Sequence, residues 1–127
     1  MRTIGIAVLA VLAGCMDQDP FGVTTRRIAG PYELKRWDEG PVQYFVQGGS
    51  RARFSDWAID GAVLRIAWDE QHILVQREAS AGRDTAWVVV DVVGRSVSGP
   101  LSESDARARS GLEPARAMPA DSAWARL

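Results

Sequence analysis

The chain has a single cysteine, a single histidine and a single lysine in 127 residues. One cysteine excludes a disulfide framework within the chain. One cysteine with one histidine falls short of the ligand sets of the common structural zinc sites. Fifteen basic side chains against sixteen acidic ones leave a net charge of −1. That balance excludes a strongly basic nucleic-acid surface, and nucleic acid is not an expected partner. No apolar run reaches the roughly 20 residues that a helix needs to span a bilayer. No repeat and no second domain are visible, so the chain reads as one small domain with tails.

What the N-terminus does have is ordered. Met1-Arg2-Thr3 places one positive charge ahead of the apolar stretch Ile4-Gly5-Ile6-Ala7-Val8-Leu9-Ala10-Val11-Leu12. A short charged region followed by an apolar core of this length has the form of a signal peptide. Leu12-Ala13-Gly14-Cys15 follows: an aliphatic residue, two small residues, then cysteine.

These residues resemble the lipobox of bacterial lipoprotein precursors. The resemblance implies a diacylglyceryl group on the Cys15 thiol and cleavage between Gly14 and Cys15. Residues 1–14 are then the signal peptide, and Cys15 is the lipidated N-terminus. Each buried methylene contributes about 0.8 kcal/mol, and one acyl chain anchors only marginally, so two or more are needed for a durable hold. Cleavage also removes Arg2. The mature chain keeps fourteen basic side chains against sixteen acidic ones. It therefore has no polybasic patch to assist membrane contact. The implied location is the bacterial cell envelope. In a host with two membranes, Met16 directly after the cysteine favours the periplasmic face of the outer membrane, because aspartate at that position is the enteric signal for inner-membrane retention.

Residues 15–30 read as the lipidated N-terminus and a tether. Met16 to Arg27 shows neither helical nor strand periodicity and contains Pro20 and Gly22. Asp17-x-Asp19 is not continued into a calcium loop. The domain is expected over residues 31–112. Tyr32–Trp37 and Val42–Gln47 are strand-like, with Val42, Tyr44 and Val46 on one face. Residues 51–61 read as a loop with a short strand or helical turn. Ala62–Trp68 and His72–Glu78 flank Asp69-Glu70-Gln71, which is a common hairpin length. Leu64, Ile66 and Trp68 share one expected face.

Thr85–Val93 is β-branched and apolar on both parities, so it should be an interior strand covered on both sides. A short helix from about 103 to 110 follows, with Ser102 and Asp105 as a capping box and Gly111 as its C-cap. Residues 113–127, with Pro114 and Pro119, read as a C-terminal tail that either frays or docks a final turn onto the sheet through Trp124 and Leu127. The expected fold class is mainly β (α+β): a small antiparallel β-meander or sandwich with one short C-terminal helix. Residues 62–112 resemble small bacterial lipoproteins of unknown function. The matching features are Trp68-Asp69, Ile73-Leu74-Val75, the 87–93 strand and Gly99-Pro100-Leu101. That resemblance implies no activity.

No catalytic residue, metal ligand or cofactor site is identified. His72 has no Gly-x-Ser-x-Gly or similar frame around it and reads as a rim histidine. Asp38-Glu39 and Asp69-Glu70 read as solvated turn acids. Asp91 interrupts an apolar strand: buried, it would need Arg65 or Arg95; at the strand end, it is simply exposed. Gly48-Gly49-Ser50-Arg51 lacks the Gly-Lys-Ser/Thr of a phosphate loop. Five tryptophans are many for this length. Trp68 and Trp87 are expected in the core, and Trp37 and Trp57 are the candidates for a binding surface. The expected function is a membrane-anchored, non-enzymatic binding or structural module of the envelope, with a protein or polymer partner. The alternative is an envelope enzyme or enzyme inhibitor acting through surface loops.

The anchor has a direct test. Wild-type protein should incorporate a fatty-acid analogue and partition with membranes, and Cys15→Ser should do neither. Equal labelling of the two proteins would exclude lipidation at Cys15.

Overall fold

The computed structural model describes residues 24–48, 58–78 and 85–127. Gly14, Cys15 and Trp57 lie outside these residues, as does most of the 51–61 loop. Two antiparallel sheets face one another. The first has strands β1 (Thr24–Ala29), β2 (Tyr32–Trp37) and β3 (Gln43–Gly48), in that order. The second contains β4 (Val63–Trp68), β5 (His72–Arg77), β6 (Ala86–Asp91), β7 (Ser96–Leu101) and the two-residue β8 (Met118–Pro119), in the order β7-β6-β5-β4-β8. Helix α1 (Glu103–Ser110), a 3-10 turn (Pro114–Arg116) and helix α2 (Ala120–Arg126) complete the described elements. The expected mainly β, α+β class is what the chain adopts.

Two apolar clusters explain this layering. Period-2 alternation sends Ile73, Val75, Val88 and Val90 to one face of the second sheet, where they meet Leu34, Tyr44 and Val46 of the first. Leu74, Trp87 and Val89 point the other way and pack with Ala106 of α1 and Ala117. The register pairs Ile73 with Val90 and Val75 with Val88, so cross-strand neighbours share a face. β6 lies between β5 and β7, the interior position its two-sided apolar pattern requires.

Helix α1 forms over the residues its caps specify. Ser102 Oγ accepts the Asp105 backbone N–H at 3.2 Å. Gly111 closes the helix with φ of 71°, a left-handed conformation that glycine adopts at little cost. Its buried Ser110 is satisfied locally: the hydroxyl donates to the Ala106 carbonyl at 2.7 Å and accepts the Leu112 N–H at 3.0 Å.

Four expectations require correction. The tether assigned to residues 15–30 runs into the domain: Thr24–Ala29 is strand β1, paired with β2 and buried at Ile28 and Ala29. Its run of polar residues hid a strand held by backbone pairing. The tail assigned to 113–127 is part of the fold. Met118–Pro119 pairs with Arg65 and Ile66 of β4, and Ala120 and Ala123 are buried in the inter-sheet core. Leu64 does not share a face with Ile66, because the β4–β5 register shifts between Val63 and Arg65. A bulge of this kind re-aims the side chains around it. Val63 turns inward and Leu64 is left 39% exposed. Finally, Ser96–Leu101 is a strand, β7, where the sequence suggested only the approach to a helix.

Truncating a buried tryptophan typically costs about 3–5 kcal/mol, a large part of a small domain's stability of about 5–15 kcal/mol. Trp87 is 8% exposed against α1. Trp87→Ala should therefore unfold or severely weaken the domain, while Glu70→Gln at an exposed turn should stay within roughly 0.5 kcal/mol. Denaturant unfolding of the two variants checks this. A Trp87→Ala midpoint equal to wild type would show that the face beneath α1 contributes little.

Candidate functional site

Three turns meet at one end of the sandwich: Gly30-Pro31 between β1 and β2, Asp69–Gln71 between β4 and β5, and the 92–95 turn between β6 and β7. Backbone contacts hold them together. The Val92 N–H donates to the Gln71 carbonyl at 2.9 Å. Gly30, with φ of 54°, sits so close to Val92 that a Cβ there would lie 2.5 Å from Val92 Cγ1. Only a residue without a side chain allows this approach.

Between the turns lies an open cleft of about 890 Å³. Trp68, Val93, Arg27, Arg95, Asp69 and Glu70 line it. Trp68 is half-buried and packs against the inter-sheet core while its remaining surface faces the cleft. Val93 on the rim is 79% exposed. Two of the charged groups are committed to the scaffold. Asp69 Oδ1 accepts the N–H groups of Gln71 and His72 at 2.8 and 2.7 Å, which shapes the hairpin turn. Arg27 Nε donates to the Gly30 carbonyl at 3.0 Å. Glu70 and Arg95 make no hydrogen bond or ion pair with the described residues. Beneath them, burial pushes the Tyr32 phenol above the ordinary tyrosine range; Arg95 lowers it in part and Asp91 raises it.

The cleft thus offers an indole surface, a guanidinium and a carboxylate on a floor fixed by backbone hydrogen bonds. Such a set can stack on a ring or a peptide plane and pair with either sign of charge. It does not assemble an acid–base pair. His72 is placed opposite Asp91 in the strand register, yet no hydrogen bond joins their side chains. Asp91 ends β6, but half-buried rather than simply exposed, and its Oδ1 accepts the Gly94 N–H at 3.0 Å. Among the described residues no group of three or more His, Cys, Asp and Glu side chains could hold a metal ion.

The residues picked out from the sequence are distributed differently. Trp37 is half-buried at the far end of β2, away from the cleft. Asp38 lies beside it and pairs with Arg36 at 3.2 Å. Trp87 is core, as expected. Trp68, also expected in the core, divides its surface between core and cleft. Arg27, Val93 and Arg95 were not legible as site residues, because Arg27 lies on β1 and Val93 and Arg95 lie in the distant 92–95 turn, and only the sandwich brings these segments together. No protein-family model, no curated protein and no solved structure matches the chain.

The floor of the cleft depends on the Gly30 contact. Gly30→Ala must strain a positive φ and push against Val92, a combined cost of about 1–3 kcal/mol. Gly40 also has a positive φ, 81°, but nothing lies within 4 Å of a Cβ built there. Gly40→Ala should therefore cost less. Comparison of the two variants by denaturant unfolding separates the steric clash from backbone strain. Equal losses would show that the Val92 contact is not tight.

Proposed function

We propose that the chain is a membrane-anchored envelope lipoprotein whose domain binds an envelope protein or polymer through the three-turn cleft. The anchor rests on Leu12-Ala13-Gly14-Cys15. The binding role rests chiefly on one observation: Glu70 and Arg95, which make no hydrogen bond or ion pair with the described residues, stand beside the exposed face of Trp68 and the rim residue Val93. Unengaged charges around an accessible aromatic are the composition of a recognition surface, where an aromatic anchor supplies contact area and charged neighbours select the partner. The same residues include no nucleophile hydrogen-bonded to a base, the geometry that turnover would require. A binding module is therefore favoured over an enzyme.

Placing a photo-crosslinking amino acid at position 93, in cells that make the lipidated protein, tests this reading. An adduct with an envelope component should form from position 93 and not from position 103 on α1. Arg95→Glu should reduce its yield roughly tenfold, as charge reversal at an interface does. Equal adducts from the two positions, or a yield that Arg95→Glu leaves unchanged, would exclude the cleft as the binding site.

A further inference from the structure

The direction of β1 separates the two ends of the domain. Thr24, where the strand begins, pairs in register with Arg36 near the end of β2. Ala29, where it finishes, leads into the Gly30 turn that walls the cleft. Six residues at about 3.3 Å each put roughly 17 Å between these ends. The chain therefore enters the domain at the end opposite the cleft. From Cys15 to Thr24 there are nine Cα–Cα steps, which reach at most about 30 Å whatever their conformation.

The entry end has its own surface. Val42 and Leu64 are exposed large apolar side chains, 48% and 39% accessible, on a groove of about 450 Å³ that Arg36, Tyr44, Pro119 and Asp121 also line. Trp37 stands at the same end, half-buried at the close of β2. Tryptophan is at home at a lipid–water boundary, where its ring is shielded and its N–H stays wet. The acidic Asp38, Glu39 and Asp121 argue against strong attraction to anionic lipid, so the contact is apolar and short-range rather than electrostatic.

We infer that the end carrying Trp37, Val42 and Leu64 faces the lipid surface, and that the three-turn cleft is presented away from the membrane. This rests on the lipid-anchor reading above. The partner then approaches from the aqueous envelope space, not from within the bilayer plane. The bulge that turns Leu64 outward acquires a purpose, since it supplies an apolar contact at the anchored end without disturbing the core position of Val63.

Acylation of the only native cysteine leaves a single added thiol to label. Val42→Cys and Val93→Cys, each in the full lipidated protein, are labelled with a fluorophore. They are then reconstituted in phosphatidylethanolamine–phosphatidylglycerol vesicles carrying a nitroxide on the lipid headgroup. Quenching should be several-fold stronger at position 42 than at position 93. Equal quenching, or stronger quenching at 93, overturns the orientation. Mass spectrometry of the same samples and flotation with vesicles test the premise separately. Protein that carries no acyl chains and does not float overturns the anchor itself, and the orientation with it. Protein that is acylated and floats but shows the reversed pattern overturns the orientation alone. Leu64→Cys gives a second reporter at the entry end, should Val42→Cys fold poorly.

Discussion

The structure depends on one constraint: strands β5 and β6 are apolar on both faces. Ile73, Leu74 and Val75 are fully buried in succession, and the run Trp87–Val90 is buried along its whole length. Neither strand can leave a side to water, so the second sheet must be covered twice. The first sheet covers one face. On the other, α1 and the segment after it present small residues, Ala106 and Ala117, which let the backbone come close enough to bury Trp87. A single sheet with one helix would leave one of these faces wet.

The C-terminal return completes the second cover, and an arginine holds it in place. Arg65 projects from β4 and donates to the Ala117 carbonyl from Nε at 3.1 Å and from a terminal nitrogen at 2.8 Å. Its guanidinium lies 6.0 Å from the Trp87 ring centre. These bonds satisfy a carbonyl at the end of the 3-10 turn that the turn itself leaves free. They also bring Met118–Pro119 against the open edge of β4. From there α2 docks between the sheets, with the Arg26 guanidinium 4.4 Å from the Trp124 ring centre and Tyr44 against the same ring at 5.9 Å. The first strand and the last helix are thereby joined, although they are almost the whole chain apart.

This closure leaves the two ends of the sandwich with different tasks in the proposed function. Strand β1 runs from the end of the sandwich near Arg36 to the turn that walls the cleft, so on the proposed reading anchoring and recognition are kept apart by the length of the strands. The cleft is open, and its fixed parts are backbone contacts and the Asp69 turn, while Glu70 and Arg95 make no hydrogen bond or ion pair with the described residues. A module that captures something and holds it near a membrane needs a rigid floor and a rim of accessible groups, and this arrangement supplies both.

The amino-acid sequence by itself determined the features that depend on near neighbours. The three-residue connection marked β4 and β5 as a hairpin, the two-parity apolar run marked β6 as interior, and Ser102 and Gly111 bounded α1, because hairpin turns, strand pleat and helix capping act over a few residues. The mainly β class followed from these. Tertiary structure alone decided the rest. β1 has polar residues at Thr24–Arg27 and becomes a strand only because β2 offers its backbone. Leu64 leaves the core because a bulge shifts its register against β5, which no alternation in β4 reveals. The last fifteen residues are ordered by Arg65 and by the gap between the sheets, both distant in the chain. The cleft is the clearest case: Arg27 of β1, Trp68 of β4, and Val93 and Arg95 of the 92–95 turn come from three distant segments with no common motif. Only the packing of one sheet on another, forced by burial of both faces of β5 and β6, sets them around a single space.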